Sequence, residues 1–178
     1  MHNRGEFWTP VIDWSRARLD RNDVRITAAS GLEQILLVSG DIGAFLSRRG
    51  LPCALGPRDE AKGSSYALSL APDRVLSISE AASPVDLGWT ETGFAVADMT
   101  DGIVAIDVEG PGALELIQQG TSYDFTMRDR HEGESANIVF AGLRVAVVRR
   151  AGGYRLHAER PFATTLWTWL EQASAQEG

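Results

Sequence analysis

The feature that most narrows what this chain can fold into is an internal repeat. Sliding the sequence against itself by 70 residues aligns Leu36–Ile78 with Ile106–Val148 without a gap, and 11 of the 43 pairs are identical. Random pairing at ordinary residue frequencies gives roughly three. Gly40/Gly110, Gly50/Gly120, Gly63/Gly133, Arg58/Arg128, Asp59/Asp129 and Arg74/Arg144 are among the identities, so turn residues recur along with apolar ones. At 178 residues the chain holds one ordinary domain, and neither half is large enough to stand alone.

Each copy reads as strand, helix, irregular stretch and two strands. LEQILLVS precedes GDIGAFLSRRG in the first copy, and IVAIDVE precedes GPGALELIQQG in the second. Pro111 fits a first helical turn, with Gly110 at the cap position. Gly50 and Gly120 stand where a helix takes a left-handed closing residue. After a polar loop, YALSL and NIVFA alternate toward hairpin partners VLSIS and RVAVVRR, and Gly152-Gly153 turns the chain into YRLHAE. VRITAA (Val24–Ala29) and FAVADM (Phe94–Met99) each add a strand ahead of a copy. The second copy closes with a helix opened by Pro161, in which Phe162, Leu166, Trp169, Leu170 and Ala173 form the apolar stripe. The corresponding stretch of the first copy, Ala81 to Gly93, is expected to be irregular. The expected fold class is therefore α+β: two duplicated β-β-α-β-β(-β-α) units with mostly antiparallel sheets. Residues 1–23 form an arm, and residues 24–178 form one domain whose halves span about 24–91 and 92–175.

Charge and composition exclude several classes of function. A net charge of -7 opposes binding to nucleic acid, which depends on neutralising phosphates. The longest apolar run, Ile138 to Val148, is broken by Arg144 and is too short to cross a bilayer. The N-terminal segment lacks the pattern of a signal peptide, so a cytoplasmic location is the expectation. The single cysteine, Cys53, rules out an internal disulfide or a multi-cysteine metal site and reads as a buried thiol.

Catalytic motifs are missing. The chain has no GxSxG, HExxH, CxxC or Walker loop, and the glycines of GPGALELIQQG are better explained by helix capping than by phosphate binding. His131 lies among Asp129, Glu132 and Glu134, which reads as a solvated acidic loop because a metal site needs convergent ligands. In YRLHAE, alternation puts Leu156 toward the core and His157 toward solvent. Asp98 and Asp101 bracket the turn VADMTDG, where turn chemistry explains both carboxylates as well as acid–base work would. No catalytic, cofactor-binding or metal-binding residue is therefore assigned.

Two features have the character of contact surface. Phe7, Trp8 and Trp14 crowd the arm, as anchors of an interface do. The alternative is that the arm packs back on its own domain. Trp167 points away from the stripe set by Phe162, Leu166 and Trp169, so it is expected to be exposed, either to a partner or to the arm.

The stretch from Ala67 onward resembles the gamma subunit of heterotetrameric sarcosine oxidase. APDRVLSI matches that family's strand turn, although it lacks the usual aromatic. Asp98-Met99-Thr100-Asp101-Gly102 with Glu109–Ala113 matches its DxSDGR…SGPGA segment, and Leu166-Trp167-Thr168-Trp169-Leu170 matches its LWxWL helix. The resemblance covers roughly residues 30 to 175. It implies kinship with the folate-binding domain of glycine-cleavage aminomethyltransferases, a fold built by duplication. It also implies a structural, non-catalytic role beside alpha, beta and delta subunits. Those partners hold FAD, FMN, NAD and tetrahydrofolate, oxidatively demethylate sarcosine and pass on its one-carbon unit. The GGxxDD-type segment of the folate-binding relatives has no counterpart here. Other readings remain open: a stand-alone folate-binding or methyl-transfer protein relying on Asp98, a subunit of an N-methylglutamate or dimethylglycine dehydrogenase, or a self-associating domain with Trp8, Trp14 and Trp167 at a symmetric interface.

Overall fold

The structure, a computed structural model, describes residues 12–38, 42–48, 50, 61, 63–81, 86–89, 95–126 and 131–175. Among the described residues, eleven strands and three helices run in the order β1 (Arg18–Asp20), β2 (Arg25–Ala29), β3 (Glu33–Val38), α1 (Ile42–Arg48), β4 (Ser65–Ala71), β5 (Arg74–Ser79), β6 (Gly88–Trp89), β7 (Ala95–Asp98), β8 (Ile103–Glu109), α2 (Ala113–Gln119), β9 (Ser135–Phe140), β10 (Leu143–Arg150), β11 (Gly153–Glu159) and α3 (Arg160–Ser174). The positions of β2, β3, α1, β4 and β5 recur to within about one residue, 70 residues on, as β7, β8, α2, β9 and β10.

The strands form two sheets, and every pairing among them is antiparallel. The first sheet is six-stranded with order β1-β2-β8-β11-β10-β9, and the second is five-stranded with order β4-β5-β3-β7-β6. Two pairings run between the N-terminal and C-terminal parts of the chain: β2 pairs with β8 from Arg25↔Glu109 to Ala29↔Ala105, while β7 pairs with β3 from Ile35↔Asp98 to Val38↔Ala95. Past the helices the halves diverge. The β4–β5 hairpin joins β3 directly, whereas β11 inserts between β8 and β10.

The apolar residues sort into three clusters, which define four layers. Val104, Ile106, Val108, Leu156 and Val147 on the outer face of the first sheet pack on Leu116 and Ile117 of α2 and on Leu166 and Leu170 of α3. Between the sheets, Tyr66, Leu68, Leu76 and Ile78 meet Ile103, Ala105, Ala146 and Val148. On the far side, Phe45 and Leu46 of α1 cover Ile35, Leu37, Val75 and Val96. The first sheet is thus covered on both faces over its centre, which erases the burial alternation of a sheet with one wet face. That corrects the placing of His157: it is 4% exposed, because its side of β11 turns toward the second sheet rather than toward water.

Helix α3 holds a second correction. Its buried stripe is Ala163, Leu166, Trp167, Leu170, Ala173 and Ser174, so Trp167 lies inside and Phe162 is 48% exposed. The small alanines mark the line of closest approach to the sheet. The bulky aromatics that would centre the stripe elsewhere sit at its margins, and Trp169 stacks edge-on against Phe140 at 5.0 Å. Fully burying Leu166 and Leu170 contributes about 1.5–3 kcal/mol each.

Helix termini follow the sequence only in part. Gly50 takes the left-handed conformation (φ 68°) after α1, as expected. Gly120 does not: it closes α2 in the right-handed region (φ -86°), and its lack of a Cβ makes room for the Phe140 ring. Helix α2 begins at Ala113 with Gly112 at its cap, not at Pro111 with Gly110. The arm packs back as far as it is described, with Ile12, Trp14, Ala17 and Leu19 against the outer cluster and β1 adding an edge strand. Cys53 and the loop residues Arg58, Asp59, Arg128 and Asp129 lie outside the described residues.

Candidate functional site

A set of buried and partly buried polar residues converges between the two sheets. β3 brings Gln34, β4 Tyr66, β8 Asp107, and β11 Arg155 and His157, each on the side of its strand that faces the opposite sheet. Gln34 Nε2 donates to the Ile103 carbonyl at 2.8 Å, which fixes Gln34 Oε1 as an acceptor. His157 Nδ1 lies 2.9 Å from that oxygen and therefore carries the proton, leaving Nε2 to accept from the Tyr66 hydroxyl at 2.9 Å. The bonds run in one direction, Tyr66 to His157 to Gln34 to Ile103, and each of the three crosses from one sheet to the other.

Beside this relay, Arg155 and Asp107 form a two-pronged pair, Nε to Oδ1 at 2.6 Å and Nη2 to Oδ2 at 2.8 Å. Arg150 stands over the Tyr66 ring at 5.3 Å and donates to the Gly63 carbonyl at 3.1 Å. The electrostatics follow from burial and these two cations. Burial, and then the positive charges of Arg155 and Arg150, push the His157 imidazole down to about 3, so it is neutral at ordinary pH. Burial raises the Tyr66 hydroxyl against the pull of the same arginines. Burial works against the Arg155 charge, but hydrogen bonding and charge attraction from Asp107, with Tyr66 adding to them, together outweigh it, so the guanidinium ends above its ordinary value. The relay holds the two sheets in register and the Arg155–Asp107 pair ties β11 to β8, while Arg155 Nη1 is buried with no hydrogen-bond partner.

The other sequence candidates fall elsewhere. Asp98 is exposed, and its Oδ1 accepts the Thr100 amide at 2.9 Å, which holds its carboxyl below the usual range. Asp101 is tied through its carbonyl to Arg160 Nε, anchoring the turn to the start of α3. His131 is exposed in its loop, while Glu134 is buried and accepts from the Tyr123 hydroxyl at 3.0 Å. Among the described residues no three metal-ligating side chains converge. The amide end of α2 is closed by the chain itself: Gly112 N donates to the Asp23 carbonyl at 3.2 Å, and the Asp23 carboxylate fills the space beside Gly112. An open groove of about 500 Å³ next to it runs between Pro111 and Leu114 on one side and Arg149, Arg150 and Tyr154 on the other.

Of the aromatic surface residues, Phe7 and Trp8 lie outside the described residues. Trp14 is half-buried, and its ring meets Trp167 edge to face at 5.8 Å and 86°, so of the two expected contacts for Trp167 the structure shows the one with the arm, and Trp167 is buried rather than exposed. The exposed aromatic that sequence reasoning missed is Trp89, 77% exposed on the edge strand β6, with Leu87 beside it at 59%. The signal was present in the Leu87-Gly88-Trp89 run inside a stretch read as irregular. The buried network carried signals of its own: Asp107 interrupts the apolar IVAIDVE, and Arg155 alternates with His157 on one side of its strand.

No curated protein matches this sequence significantly. Among solved structures, the fold is similar to a chain of the heterotetrameric sarcosine oxidase from Corynebacterium sp. U-96 in complex with pyrrole 2-carboxylate. The similarity has a TM-score of 0.74 at 21% identity and covers 86% of this chain and 84% of that one. The family described as sarcosine oxidase, gamma subunit, matches residues 59–176, the part that carries the second hairpin system and both outer helices. With two thirds of its length so matched, the chain belongs to the sarcosine oxidase gamma subunit family.

Proposed function

We propose that this chain is a structural, non-catalytic subunit of an oxidase complex that demethylates an N-methyl amino acid, sarcosine to glycine, and passes the one-carbon unit to tetrahydrofolate. Alpha, beta and delta subunits are its partners. They hold FAD, FMN, NAD and the folate, and the assembly is cytoplasmic. The observation that carries this reading, beside family membership, is how the polar interior is used. His157, Tyr66, Gln34, Arg155 and Asp107 are engaged with one another between the sheets, so the groups best suited to acid–base work are already committed to holding the fold.

The same geometry weighs against folate on this chain. A pterin site would need a carboxylate in a deep recess, and Asp98 lies exposed on a turn with its oxygen occupied by Thr100. The residues present do not fit that group. The pairings of β2 with β8 and of β7 with β3 support descent from a duplicated ancestor of the aminomethyltransferase folate-binding type, with residues 24–178 as one domain and residues 1–23 as the arm. A dehydrogenase acting on N-methylglutamate or dimethylglycine would use the same subunit design.

The test is co-expression with the neighbouring-gene products, followed by intact mass and absorbance of the purified material. Flavin-containing chains in fixed ratio support the reading, and their substrate preference names the enzyme. A colourless chain eluting alone overturns it, and folate titration of that chain then examines the methyl-transfer alternative.

A further inference from the structure

Among the described residues, the inner face of the second sheet is only half covered. Its cross-strand rows show where the cover stops. Leu68 (1% exposed), Leu76 (0%), Leu36 and Ala97 lie in one row, and burial fails along it: Leu36 is half-buried and Ala97 exposed. In the next row Val38 and Ala95 are half-buried, and Trp89 stands 77% exposed. All of these side chains share the face of Leu76, which packs toward the first sheet, so the cover ends at β3. On the first sheet, Val139 of the edge strand β9 is on the same side as Asn137, whose amide reaches the Leu70 carbonyl of the second sheet, and Val139 is 63% exposed. The most exposed strand aromatic and the most exposed strand aliphatic of the described residues are therefore both on inward-turned faces.

Two arginines border this surface. Arg74 sits opposite Val38 and Arg144 opposite Val139, both exposed. Arg144 makes no ion pair among the described residues, and Arg74 has only its chain neighbour Asp73 at 3.9 Å. On a chain of net charge -7, basic groups beside an uncovered apolar face select an acidic counterpart.

We propose that this half-covered face, with Leu36, Val38, Ala95 and Ala97 along it and Trp89 and Val139 on the edge strands at its two margins, is the seat of another subunit of the complex, which presents an apolar segment flanked by carboxylates to Arg74 and Arg144. The proposal rests on the subunit reading above and adds the surface and the chemistry of the partner. A tryptophan that a partner buries is a usual energetic anchor of an interface.

The test uses the full chain co-expressed with the alpha, beta and delta subunits, with the tag on a partner. Trp89→Glu and Val139→Glu are each expected to lower the amount of this chain recovered per partner at least tenfold, with circular dichroism unchanged because both side chains are exposed. Phe162→Glu, an exposed change on α3 in the outer helical layer, is expected to leave recovery at the wild-type level. Arg144→Glu is expected to weaken recovery several-fold, and more at low salt than at high salt. Wild-type recovery of Trp89→Glu and Val139→Glu overturns the surface while leaving the subunit reading intact. Failure of the wild-type chain itself to co-purify overturns that reading. A homodimer of the isolated chain that Trp89→Glu converts to monomer assigns the face to a second copy and overturns the proposed occupant.

Discussion

The Nδ1 of His157 lies 2.9 Å from the Oε1 of Gln34, joining residues 123 positions apart through the middle of the sandwich. Each partner is oriented by another bond, Gln34 by the Ile103 carbonyl and His157 by the Tyr66 hydroxyl, so the contact admits one tautomer and one amide orientation. Gln34→Leu leaves the imidazole N–H buried without an acceptor. The expected cost is about 1–3 kcal/mol, read as a lower urea midpoint with an unchanged m-value.

Protonation of His157 gives stability a defined pH dependence. In the unfolded chain the imidazole takes a proton near its ordinary value of 6.5, whereas in the folded chain it resists down to about 3. The depressed value means that its contribution is fully present above about 6.5 and is lost as pH falls toward 3. A shift of this size corresponds to a few kcal/mol across the window. In His157→Gln, the loss of stability between neutral pH and pH 4 should be shallower than in the wild type. Equal slopes for the two proteins in paired denaturation series would refute the assignment.

Asp107 and Arg155 are coupled in the manner of a buried pair. Asp107→Asn strands a guanidinium whose side chain is 11% exposed, with an expected loss of about 3–5 kcal/mol. Replacing both residues with apolar ones of similar volume, Asp107→Leu with Arg155→Met, should recover most of that loss. A double-mutant cycle by thermal unfolding measures it, and additive losses would show that the two side chains do not act as a pair.

Gly120 tests a close approach rather than a backbone conformation. Its φ of -86° suits any residue, so Gly120→Ala should cost about 1–3 kcal/mol through the Phe140 ring alone. Phe140→Leu, which shortens the ring side, should make the alanine nearly neutral when the two changes are combined.

Trp14→Ala removes the edge-to-face partner of Trp167 and part of the cover over α3. About 2 kcal/mol is expected, from the ring pair and the partial burial together. Phe162→Ala, on the exposed side of the same helix, should stay within about 0.5 kcal/mol. Near-ultraviolet circular dichroism should lose its tryptophan coupling only in the first variant.

Much of the fold was legible in the sequence because it rests on local signals. Alternation in YALSL, VLSIS and YRLHAE, the Gly152 turn and Pro161 at the head of α3 act within a few residues, and each of those elements stands where the residues put it. The errors have one physical source, the number of layers. Reading His157 as exposed assumes that a strand has one wet face, and β11 has none at that position. Reading Trp167 as exposed centres the helix stripe on bulk, whereas Ala163 and Ala173 show where the helix actually touches. Gln34 and Tyr66 carried no warning, since a glutamine and a tyrosine in strands are ordinary until a histidine from the other sheet arrives between them. The uncovered face around Trp89 was equally hidden, because exposure there depends on how far one sheet extends over the other.

The pairing of β2 with β8 and of β7 with β3 bears on how the chain can be made. β2 has no sheet neighbour beyond β1 until β8 has been synthesised, and β3 lacks its second neighbour until β7 has been. Closing both sheets requires contacts between segments separated by most of a half-chain, an entropic cost that local turns cannot offset early. The N-terminal part of the chain taken alone would thus be a template with unmatched strand edges, closed only by β7 and β8.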